Sequence, residues 1–283
     1  MGAKKMQDNK QYEQHVLEHL RPGLNWDKIM VCDNVTPGNV IALALDAGYT
    51  HICQSSHPYF VPDLNTSALM LLEDKQFINY PLSSIITPSE VGPEAEANLT
   101  HFEYKFEQAG QKFTILQGVG KALGEKKVSP SIQADVLVIA DELSTNAVFN
   151  APFVDMENTA SGASREDQST RMHQGKSASI FLGANDTRLV IGCKDPYGTL
   201  NLMKLFVRIK KCYDTSVAEN INMTGRGGAG IGSFMVFNSS ASYYAVVEEG
   251  QCTMILCALP VRMSSKTRLE IPKNLHFIIK NKR

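Results

Sequence analysis

Glu142 and Asn146 lie four residues apart in DELSTNAVFNAP, and if that segment is helical they share one face. A carboxylate beside a carboxamide can orient a nucleophile and offer oxygen ligands to Mg²⁺; a solvated pair with capping or surface roles is the plainer reading. In CKDPYGTL, Asp195 ends the apolar run LVIG, and Gly198 lets the backbone turn close to a ligand. An acid at a strand end can accept from an exocyclic amine such as that of adenine, although D-P-x-G is also an ordinary turn. GRGGAGIG, positions 225–232, runs into the apolar segment GIGSFMVFNSSA. A glycine loop opening a helix presents free N–H groups to an anion, with a flexible surface loop as the alternative. Thr253, in GQCTMIL, is on its own a good β-former.

Two sharper readings of the glycine loop fail. From Gly225 it fits G-x-G-x-x-G, but the polar stretch TSVAENINMT before it is no strand, and Glu248 and Glu249 fall in a hairpin turn. A phosphate-binding P-loop would end G-K-[ST], whereas this one ends I-G-S.

The elements that must position these residues read as α/β. An amphipathic helix is expected over 5–20, closed by RPG; KIMVC then reads as a strand, TPGNVIALALDAG as a loop and helix, and YTHICQ as a strand. A boundary in QGVGKALGEKKVSP gives a smaller α/β domain over 1–120 and a second domain over 121–283. The second opens on a long apolar helix with Ser129 or Ser131 as N-cap. A polar segment at 155–176 reads as a mobile loop; strands SASIFLG and TRLVIGCKD, the helix TLNLMKLFVRIKKCYD, the glycine loop and a hairpin turning at Glu249 to Gln251 follow.

With 283 residues, 43% hydrophobic and 20% charged, the chain can bury a substantial core. A net charge of −1 with interspersed signs argues against a broad nucleic-acid or membrane footprint. The polar N-terminus and the lack of any run near about 18 apolar residues give a cytoplasmic expectation. Six scattered cysteines without a C-x-x-C pair argue against a disulfide framework or zinc site.

Taken together, E-x-x-x-N-A (Glu142 to Ala147), D-P-Y-G (Asp195 to Gly198), G-A-G-I-G (Gly228 to Gly232) and G-x-x-T (Gly250 to Thr253) resemble, in order, the N, G1, G2 and terminal boxes of the GHKL superfamily of Bergerat-fold ATPases. The resemblance implies a two-layer α/β sandwich in the C-terminal half that binds ATP and Mg²⁺. Glu142 would be the general base and Asn146 the Mg²⁺ ligand; Asp195 would take the adenine amino group, with Gly198 shaping the pocket floor and Thr253 assisting. Gly228, Ala229, Gly230, Ile231 and Gly232 would present the phosphate-binding turn, and a helix and lid would lie over 201–223. Asn150, one turn beyond Asn146, is expected to line the pocket and Arg226 to reach a phosphate. Tyr197 and Leu200 stand where the usual D-x-G-x-G box has glycines, which puts the adenine pocket's shape in question. The variant is more similar to stand-alone bacterial regulatory ATPases of the anti-sigma-factor type: a protein kinase acting on a regulatory partner, or a non-catalytic nucleotide-gated module, with a homodimer possible.

A histidine-kinase reading rests on EHLRPGL around His19, one residue out of register with the usual phosphoacceptor box and followed by α/β-like sequence. A receiver-like reading of the front half has Asp33 but no acceptor aspartate. The other histidines, His15, His51, His57, His101, His173 and His276, are isolated in sequence and expected to be surface or satisfied polar residues.

Overall fold

The strand Cys252–Pro260 is buried along its whole length, and its alternate residues enter two different cores. Ile255, Cys257 and Leu259 join one, and Met254, Leu256 and Ala258 the other, as a period of two requires of a strand covered on both faces. The computed structural model describes residues 9–152, 170–215, 231–264, 267 and 270–281. Arg226, Gly228, Ala229 and Gly230, and most of the loop expected at 155–176, lie outside the described residues.

Among the described residues the strands are β1 (Ile29–Cys32), β2 (His51–Gln54), β3 (Thr100–Phe106), β4 (Ala178–Ala184), β5 (Arg188–Asp195), β6 (Ser242–Glu248), β7 (Cys252–Pro260) and β8 (Asn274–Lys280). They form one mixed sheet in the order β1-β2-β8-β6-β7-β5-β4-β3. β6 and β7 are the expected antiparallel hairpin, and β8 lies between β2, to which it is antiparallel, and β6, to which it is parallel.

Helices α1 (Pro37–Asp46), α6 (Lys112–Glu125), α7 (Pro130–Phe149), α8 (Leu202–Asp214) and α9 (Ile231–Ser239) pack into the larger core on one face. α2 (Phe60–Leu72), α3 (Asp74–Asn79) and α4 (Pro81–Ile86), with α5 (Pro93–Leu99) against α4, cover the other. The α/β sandwich expected of the C-terminal half is present, and a second helical layer drawn from the front half closes its far face. Position 120, where the two expected domains meet, lies inside α6, and the sheet takes β1, β2 and β3 from one side of it and the other five strands from the other side.

α7 forms because Ile132, Val136, Ile139, Ala140, Leu143 and Ala147 repeat at three and four residues and are all buried. Pro130 sits in its first turn, where a missing N–H costs nothing. Ser129 occupies the N-cap position, but its hydroxyl donates to the Met263 carbonyl at 3.3 Å instead of capping the helix. The helix expected over 5–20 is instead two 3₁₀ turns, Asn9–His15 and Glu18–Leu20, among the described residues. Tyr12, Val16 and Leu20 keep the helical spacing and pack into one cluster, but Leu17 between the two turns has an extended backbone (φ −53°, ψ 136°), which breaks the run.

Candidate functional site

β5 and β7 run side by side so that Asp195 is directly opposite Thr253, on the face that α7 covers. The chain leaves β5 through the DPYG turn and enters α8; α9 follows, and the three helices with the ends of β5 and β7 enclose a cavity of about 490 Å³. Glu142, Asn146 and Asn150 of the α7 segment, Asp195 and Thr253 all line it. Leu143, Ala147, Val236, Tyr243 and Ile255 add apolar surface to it, and Thr199, Asn201 and Ser233 further polar groups.

On α7 the three polar residues form a chain. The Asn146 side-chain amide donates to Glu142 Oε1 at 3.0 Å, and the Asn150 amide donates in turn to Asn146 Oδ1. The Glu142 carboxylate lies against Gly232 in the first turn of α9, in the space that any side chain at 232 would need. That close approach brings the described end of the glycine loop onto the proposed base; Ile231, beside it, opens α9.

Asp195 is 9% exposed. Burial pushes its carboxyl up to about 6, opposed by the N–H groups of Tyr197 and Gly198 and by Thr253. The Tyr197 N–H donates to it at 3.0 Å, whereas the buried Thr253 Oγ1 makes no hydrogen bond of ordinary geometry. The inner end of the cavity therefore holds a carboxylate beside a hydroxyl that faces it without ordinary hydrogen-bond geometry, a combination that can both accept and donate.

Gly198 does not line the cavity; its neighbours Thr199 and Leu200 do. It has φ of +63°, and a side chain there would run into the Glu248 carbonyl of the β6–β7 turn. Glycine is required because the DPYG turn packs backbone to backbone on that hairpin. Tyr197, at a position where the resemblance leads one to expect glycine, is buried, and its hydroxyl accepts the His173 N–H at 3.0 Å.

Two groups escaped the sequence reading. Lys204 and Arg208, four apart on α8, also line the cavity; the sequence signal was the i, i+4 spacing, indistinguishable there from a solvated helix face. On the far face of the sheet, Asp63 of α2 is fully buried with Arg188, His57 and His276 around it. The expectation of isolated surface or satisfied histidines is corrected for His51, His57 and His276. All three are buried, and both nitrogens of His51 and the Nε2 atoms of the other two lack a hydrogen-bond partner. His276 is more than two hundred residues from His51 and His57 and becomes their neighbour because β8 inserts beside β2.

Among the described residues no group of three or more His, Cys, Asp or Glu could hold a metal ion, and no helix is long and apolar enough to cross a membrane. No protein-family model matches the chain, and no curated protein matches it. A chain of the crystal structure of the SiaB–SiaC complex from Pseudomonas aeruginosa is similar to it with a TM-score of 0.38 and 13% sequence identity, over 67% of this chain and 96% of that chain.

Proposed function

We propose that the cavity binds ATP with Mg²⁺ and that the protein is a regulatory kinase of the anti-sigma-factor type, transferring phosphate to a hydroxyl of a partner protein. The observation that carries this reading is the convergence of Glu142, Asn146, Asp195 and Thr253, from three separate elements, on one partly apolar cavity. An adenine fits the inner end: Asp195 accepts from the exocyclic amine, Thr253 reaches the ring, and the apolar side chains cover its faces.

Toward the mouth, Asn146 holds the Glu142 carboxylate through its amide, so that the carboxylate can accept a proton from an incoming hydroxyl. The residues fit a magnesium ion of the kind that keeps most of its water and takes its other oxygens from phosphates, with Asn146 Oδ1 as the protein ligand once Asn150 releases it. Bound there, Mg²⁺ would supply neutralisation of phosphate charge during transfer.

The test has two stages. ATP with Mg²⁺ should raise the melting temperature, and Asp195→Asn should abolish that rise; no rise in the unaltered protein ends the ATP reading. With labelled ATP and candidate partners, Glu142→Gln should bind nucleotide but lose transfer.

A binding-only module is the second reading, and one observation favours it. Glu142 Oε1 already accepts the Asn146 amide and the carboxylate lies against the first turn of α9, so it is held before any hydroxyl arrives. ATP binding without transfer to any partner would replace the kinase reading with this one, whereas transfer that survives Glu142→Gln would keep the kinase and remove Glu142 as its base.

A further inference from the structure

We infer that Lys204 and Arg208 form an anion-binding wall that makes the cavity selective for nucleoside polyphosphates over nucleosides. The inference rests on the ATP reading of the same cavity and adds to it the groups that would hold the phosphates. Among the described lining residues, the acids are Glu142 and Asp195 and the bases are Lys204 and Arg208. Without those bases a polyphosphate would meet two carboxylates and no cationic side chain among the described lining residues.

Their placement suits the task. Lys204 and Arg208 are exposed, whereas Asp195 is buried at the inner end. The cavity is thus polarised, with a neutral hydrogen-bonding ligand head inside and cationic side chains at the mouth. Four residues apart on a helix, the two project from the same side about 6 Å apart along the axis, close enough to grip one chain of phosphates.

Both cations are available. Neither side chain forms an ion pair or hydrogen bond with any described residue, whereas Lys210 on the same helix is paired with Asp214. Asn201 already caps α8, accepting the Lys204 N–H at 2.9 Å, so the side chains and not the bare helix end must supply the attraction. Arg208 can offer two parallel N–H donors to a phosphate and Lys204 a compact charge.

The test compares the unaltered protein with Lys204→Ala/Arg208→Ala by titration calorimetry, using ATP, adenosine and inorganic tripolyphosphate as separate probes. Both residues are exposed, so the variant should fold, which circular dichroism and melting temperature check. The double substitution is expected to weaken ATP and tripolyphosphate by at least about tenfold and to leave adenosine unchanged. ATP affinity unchanged to within about twofold overturns the wall while leaving the ATP cavity standing. Tripolyphosphate binding that depends on Lys204 and Arg208, in a protein that binds neither ATP nor adenosine, upholds the wall and overturns the adenine site. Failure of all three probes on the unaltered protein overturns both.

Discussion

Asp63 and Asp195 are buried aspartates on opposite faces of one sheet, and their surroundings differ in kind. Both Asp63 oxygens are filled: one by Arg188 and the Tyr244 hydroxyl at 2.7 Å, the other by the Ser242 hydroxyl and the Asn274 amide, each at 2.6 Å. Arg188 continues the network to the Ile85 carbonyl at 2.8 Å and lies over the Tyr59 ring. Asp195 accepts the Tyr197 N–H, is further stabilised by the Gly198 N–H and by Thr253, and lines open volume. The contrast teaches how to tell a polar group that serves the fold from one poised for a ligand. Side-chain donors drawn from β5, β6 and β8 lock the first, while the second is met mainly by N–H groups of its own turn and of β7 and lines open volume.

If that division is right, Asp63→Ala should cost about 3 to 5 kcal/mol of stability, because it leaves Arg188 buried and uncompensated. Denaturant unfolding measures it, and a smaller cost than for Asp195→Asn would invert the comparison. Gly198→Ala comes next, at about 1 to 3 kcal/mol, since the new side chain meets both a left-handed backbone and the Glu248 carbonyl. A loss of ATP binding with unchanged stability would instead assign Gly198 to the cavity and blur the division.

The two faces should also titrate in opposite senses. Burial raises Asp195 from 3.8 to about 6, so its folded form favours the proton. The associated stability is present below pH 3.8 and is lost as pH rises through about 6. His57 and His276 run the other way. Burial lowers both from 6.5 to about 4, despite the opposing pull of Asp63, so their contribution is present above 6.5 and is lost as pH falls through about 4. Asp63 itself, whose burial is outweighed by Arg188 and the two histidines, is held below the usual carboxylate range, and its contribution goes only at still lower pH. Between about pH 4 and 6, Asp195→Asn should therefore make stability climb more steeply with pH, by about 1 to 3 kcal/mol over the window. Denaturation midpoints at four pH values decide this; an unaltered profile would mean that Asp195 is not desolvated.

The smallest expected effect is the most discriminating. Thr253→Val removes a buried hydroxyl that makes no hydrogen bond of ordinary geometry, so stability should move by less than about 1 kcal/mol, in either direction. ATP binding should still weaken, by about 0.5 to 1.5 kcal/mol. Equal losses in both would show that the hydroxyl already serves the fold.

Much of the cavity could be read from sequence because its parts are local. Glu142 and Asn146 are one turn apart, the DPYG turn directly follows a strand, and Thr253 follows a hairpin whose turn residues are plain. Lys204 and Arg208 were hidden because a helix pattern reports which residues avoid the core, not what faces them across a gap. The Asp63 network was hidden more deeply. Asp63, Arg188, Ser242, Tyr244 and Asn274 span more than two hundred residues, and their meeting depends on a strand order that no local pattern encodes.

That strand order also sets a sequence in time. β1 and β2 reach the rest of the sheet only through β8, so until residues 274–280 have been synthesised the two front strands have only each other to pair with among the described residues. A parallel pair of four-residue strands is too short to persist alone. Asn274 supplies the join, accepting the Gln54 N–H at 2.8 Å while donating to Asp63. Among the described residues β1 and β2 thus wait for β8, and a ribosome-bound protein lacking β8 would carry an open sheet edge at β6, where an unpaired strand invites mispairing.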